Sequence, residues 1–134
     1  MVDDARIPPQ RAALGSLLEV PGLRERLEDA FAGELCSRLP RLVPAAARLR
    51  RLGVRTSPAT VRAIVAEVHP LASSAVVVGA HEAARAARAV EHRLLAYTEG
   101  EELPQVVVAD ALEHLDHLLS ALTGWRSAAG AAAV

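Results

Sequence analysis

At 134 residues the chain has the length of a single domain, enough to enclose one core without disulfide or metal staples. Aromatic residues make up only 2% of it, and Leu, Val and Ala dominate, so the core is aliphatic and the fold class all-α. The formal net charge of -1, with no basic face carrying interleaved aromatics, argues against nucleic-acid binding, and no apolar run approaches the ~20 residues of a membrane span.

Residues 1–9 read as a flexible N-terminal arm, because Pro8 and Pro9 resist helix and no apolar stripe accompanies them. The opening "MVDDARIPPQ" lacks the basic-then-apolar order of a secretory signal, so the expected localisation is cytoplasmic. A short helix is predicted over 10–19, ending before Pro21 and Gly22. From Leu23 the spacing becomes helical, with Leu23, Leu27, Phe31, Leu35 and Leu39 on one face. Within that segment the lone Cys36 excludes an intrachain disulfide, fits a reducing compartment, and reads as a small core hydrophobe. Pro40 and Pro44 should kink or break the helix before "AAARLRRL" resumes it and Gly53 stops it.

"TSPAT" starts the next helix, with Ser57 as cap and Pro58 at the first helical position. Val61, Ile64, Val68, Leu71, Ala75 and Val78 then alternate in threes and fours, the seam of an antiparallel bundle, and Gly79 marks a turn or a close crossing. Ala80, Ala83, Ala87, Val90, Leu94 and Tyr97 repeat the alternation until "EGEEL" interrupts it. Val107, Ala111, Leu115, Leu118 and Leu122 define the last helix, with Gly124 just past its end and 125–134 a flexible C-terminal tail. The expected architecture over 10–124 is an antiparallel four-helix bundle with room for an extra N-terminal helix.

The seam omits position 69. One residue is a turn of about 100° on a helix, which puts His69 at the flank of the apolar stripe, within reach of solvent. Around it, one turn away, stand Val65, Ala66, Ala72 and Ser73, three of them small. Pro70 beside it lacks an N–H and opposes the Ala66 carbonyl, so a bend is expected there. Glu91 flanks the seam residue Val90 as His69 flanks Val68, so adjacent helices bring the two toward each other.

The stretch "VHPLASSAVVVGA" resembles the acceptor helix of histidine phosphotransfer (HPt) domains, matching at His69, Leu71, Ser74, Ala75 and Gly79. In "ARAVEHRLL", Glu91 stands at plus twenty-two, where the phosphotransfer domain of chemotaxis-type kinases places a glutamate bonded to the active histidine. "LLAYTEGEELPQVVVADALEHLDHLLSAL" is similar to that subclass's last helix pair, so the resemblance spans about residues 22–123. Two positions depart from the pattern: the usual lysine is Ala72 and the usual glycine is Ser73.

The resemblance implies a phosphocarrier of a two-component phosphorelay without kinase activity of its own. His69 would be the phospho-acceptor, attacking through Nε2 while Glu91 holds Nδ1. Ala66, Ala72, Ser73 and Val76 would dock the partner, and Arg62 or Arg88 would support the phosphate in place of the lysine. The implied partners are a response-regulator receiver domain and a histidine kinase, and any magnesium would be theirs. No glycine-rich phosphate loop or acidic magnesium cluster is present, and no cofactor or metal is expected. His114 and His117, near Glu113 and Asp116, have a metal-pair spacing but lack matching ligands on other helices. Two other readings stay open: a degenerate HPt fold binding a kinase or receiver as a non-catalytic regulator, or an unrelated helical adaptor or dimerisation domain. The alanine-rich "AHEAARAARAV" suits close packing within a monomer or across a homodimer.

Overall fold

The structure is a computed structural model that describes residues 20–133; the arm over 1–9 and the short helix expected over 10–19 lie outside them. Four helices form the bundle: α1 (Leu23–Leu52), α2 (Pro58–Val77), α3 (His81–Leu94) and α4 (Gln105–Ala133). Single 3-10 turns follow α1 and α3, at Gly53–Arg55 and Leu95–Tyr97. Each helix borders two others around a ring, α1 against α2 and α4, and α3 against α2 and α4. The connections are short, which makes sequential helices antiparallel neighbours. No described helix is long and apolar enough to cross a membrane.

Local chemistry sets the boundaries. The Ser57 hydroxyl accepts the Thr60 N–H at 3.2 Å, and Pro58 occupies the first turn, where a missing donor costs nothing. At the other end of α2, Gly79 adopts φ 77°, a left-handed conformation that a side chain would strain. Its N–H reaches the Val76 carbonyl at 3.0 Å while the Ala80 N–H reaches Ala75 at 2.8 Å, a Schellman closure that turns the chain directly into α3.

The core is aliphatic, as composition requires. Leu35, Leu42, Leu49, Ile64, Val68, Val90, Leu94 and Leu118 are among its fully enclosed side chains. On α3, Ala83, Ala84, Ala86 and Ala87 are all buried, and their short side chains let α2 and α4 close in on both sides. Phe31 and Trp125 meet edge to face, ring centroids 4.9 Å apart, closing one end of the bundle between α1 and α4.

Several expectations are corrected. α1 is not broken at Pro40 or Pro44 but runs through both, because neighbouring helices hold a segment whose isolated hydrogen-bond ladder would be interrupted. Strict four-residue spacing drifts by about 40° per step on a 3.6-residue helix. Leu23, Leu27 and Leu39 therefore end only half-buried, while Phe31, Leu35, Leu42, Ala45 and Leu49 make the core face of α1. Cys36 lies one residue past Leu35, off that face, and is exposed rather than in the core. Val78, Ala80 and Tyr97, at helix ends, are likewise only partly buried. α4 does not stop at Gly124: helix continues to Ala133, one glycine being too weak a breaker to end it.

Candidate functional site

Val68 on α2 and Val90 on α3 are fully buried, and the two helices pack against each other. The residue after each therefore emerges at the rim of that interface. His69 and Glu91 meet there: Nδ1 of His69 lies 2.5 Å from Oε2 of Glu91, across twenty-two residues of chain. The His69 side chain is 70% exposed, whereas Glu91 is 22% exposed and partly shielded by the wall. A carboxylate only accepts, so Nδ1 carries a proton, and in the neutral ring the lone pair is then on Nε2. Among the described residues, no hydrogen bond engages Nε2.

The pair borders a shallow depression of about 460 Å³. His69, Ala72 and Ser73 form its α2 wall; Arg88, Glu91 and His92 form its α3 wall, with Leu95 at the rim. Larger hollows exist, including one of about 810 Å³ between the start of α1 and the end of α4, which has no histidine. Another, of about 500 Å³, holds His81 and His117, but there Nε2 of His117 faces Glu82 at 3.5 Å. At His69 the carboxylate sits on Nδ1 and the outward nitrogen faces open space.

The remaining sequence-predicted residues divide. Ala66, Ser73 and Val76 are exposed around His69 on the outer face of α2. Ala72 is not: at 4% exposure it is packed into the α2–α3 seam and forms the floor of the depression, not a docking surface. Arg88 lines the depression. Arg62 does not; its guanidinium donates to the Thr98 carbonyl at 2.6 Å, pinning the turn after α3 two helical turns from His69. His114 and His117 point to separate partners, Asp110 and Glu82, each at 3.5 Å. Among the described residues, no group of three or more His, Cys, Asp or Glu side chains is placed to hold a metal ion.

Two residues of interest were given no role by the sequence reading. Glu67, only 8% exposed, accepts from Arg41 Nε at 2.8 Å and Arg38 Nη1 at 3.1 Å, tying α1 to α2 beside the turn that carries His69. The Arg41 hydrogen bond, aided by Arg38 and opposed by burial, holds its carboxyl below the usual carboxylate range. Its signal was legible: position 67 falls between Ile64 and Leu71 on the apolar face, where a carboxylate requires a partner. His92 is the second, one helical turn from Arg88 and in the same depression.

No family model, no curated protein and no solved structure matches the chain.

Proposed function

We propose that the protein is a histidine phosphotransfer carrier of a two-component phosphorelay, with His69 as acceptor and Glu91 as its orienting base. The observation that carries this reading is the 2.5 Å His69–Glu91 pair, with its outward nitrogen beside an open depression. Phosphoryl transfer asks for a nucleophile in line with phosphorus and for charge stabilisation around it. Nε2 donates its lone pair to phosphorus as the bond from phosphorus to the donor oxygen breaks. The donor, a receiver aspartate or ATP held by a kinase, leaves with that electron pair. Positive charge then builds on the ring, and the Glu91 carboxylate offsets it at Nδ1. The return step reverses these changes: a receiver aspartate attacks phosphorus and the ring nitrogen regains its lone pair. Exposed Ala66, Ser73 and Val76 supply low relief for a receiver to approach.

A second reading, a binding regulator on the same face, draws on one observation. The α2 wall presents no cation, since Ala72 is buried and Ser73 is neutral.

One experiment separates the two. Phosphoramidate is supplied as a small donor, its P–N bond breaking with release of ammonia, and phosphorus NMR follows the protein. An acid-labile, alkali-stable phosphohistidine that is lost in His69→Gln supports the carrier. No phosphohistidine in the wild-type chain, with capture of a receiver or kinase on the α2 face, supports the regulator.

A further inference from the structure

The depression beside His69 poses an electrostatic problem. A phosphoryl group on Nε2 brings close to two negative charges and three acceptor oxygens into a hollow whose wall already holds the Glu91 carboxylate. The α2 wall offers nothing to offset that charge. Ala72 and Ser73 are neutral, and Arg62, on the same helix, is committed to the Thr98 carbonyl. Among the described residues, only α3 contributes further nitrogen donors for an anion to the depression, from Arg88 and His92.

Their placement suits an anion. Four residues apart, they stand on one face of α3 about 6 Å apart along its axis, on the strip that also carries Glu91. Both are exposed, and among the described residues neither is engaged in a hydrogen bond or ion pair. Arginine offers a planar fork of donors matched to phosphate oxygens. Imidazole donates one N–H in either neutral tautomer and two when protonated. The buried alanine at position 72 leaves the floor low, so both side chains have room to lean over it.

We infer that His92 is a phosphate-binding residue, forming with Arg88 an anion site on α3 that holds the phosphoryl group carried by His69. The inference rests on the reading of His69 as acceptor. It shifts the positive pole of the site from the acceptor helix to the helix that bears the orienting carboxylate.

The test uses the full chain, phosphoramidate, and phosphorus NMR with proton–nitrogen spectra of the histidine rings. His92→Ala and Arg88→Ala are each expected to slow phosphorylation of His69 by about 3- to 10-fold. Arg85→Ala, which removes an exposed arginine outside the depression, should leave the rate unchanged. His92→Gln keeps an N–H donor and should recover part of the rate. In the wild-type protein the His92 ring signals should move when His69 becomes phosphorylated. Phosphorylated wild type with unmoved His92 signals, and a His92→Ala rate equal to wild type, overturns the anion site and leaves the acceptor standing. Absence of phosphohistidine from the wild type overturns both, which is a different result. All four variants lie on exposed positions of α3, and circular dichroism confirms that each is folded.

Discussion

Replacing Glu91 by Gln probes the link between the helix pairing and the chemistry. The substitution keeps the shape of the side chain but removes its charge. A carboxylate only accepts from Nδ1, whereas a carboxamide either accepts from the protonated nitrogen or donates to the bare one. A hydrogen bond to a charged group is worth ~1.5–3 kcal/mol when shielded. His69 is 70% exposed, so water competes, as it does at surface ion pairs worth ~0.2–1 kcal/mol. With Glu91 only 22% exposed, the pair falls between these cases, at about 1 kcal/mol. That corresponds to about a 5-fold bias toward the tautomer with Nε2 bare. Glu91→Gln should erase that bias, lowering the Nε2-bare tautomer from about five-sixths to about half of the neutral ring, and slow phosphorylation by phosphoramidate about 2-fold, with little change in stability. Proton–nitrogen correlation spectra read the tautomer of His69, and phosphorus NMR reads the rate. An unchanged tautomer in the variant refutes the orienting role, as does a lost bias with an unaltered rate.

Other consequences are equally concrete. Glu67→Gln removes a carboxylate held by Arg41 and Arg38 and should cost ~1–2 kcal/mol in urea unfolding at pH 7. Because the folded-state pKa of Glu67 is depressed, its contribution is present above the unfolded carboxylate range and disappears as pH falls through the folded value. The gap between wild type and Glu67→Gln should therefore close in acid; a gap independent of pH would contradict the pairing. Ala72→Lys places a long chain in a seam where alanine is 4% exposed, and should destabilise by ~1–3 kcal/mol. A lysine variant as stable as wild type in urea would mean that the seam is open at this point. Leu118→Ala empties a fully enclosed position on α4 and should lower stability by ~2–5 kcal/mol, seen as a shifted urea midpoint. A shift below ~1 kcal/mol would show that the core collapses around the gap.

Much of the bundle was legible residue by residue. Ser57 and Pro58 announced the start of α2, Gly79 its end, and the alternating seam from Val61 to Ala75 its buried face. The omission of position 69 from that seam was enough to place His69 at the rim, where it stands. The misplacements share a cause. Leu39 and Cys36 were assigned from local spacing or residue type, and the rotation of α1 against its neighbours decided which side of each turn was enclosed. Gly124 and the two prolines of α1 looked like breaks because propensity describes an isolated segment, whereas packing holds a helix through them.

The amino-acid order alone determined the class of fold, the helix termini marked by caps and left-handed glycines, and that His69 lay off the core. These depend on interactions within a few residues, or on a periodicity that one helix carries by itself. The meeting of Glu91 with Nδ1 of His69 was expected from the resemblance, and the bundle supplies its geometry. Only the assembled bundle drew Arg62 away to the Thr98 carbonyl, bound Glu67 between two arginines of α1, and sank Ala72 below the surface. Those contacts depend on the rotation and offset of one helix against another, which are settled by the shapes of all the buried side chains together.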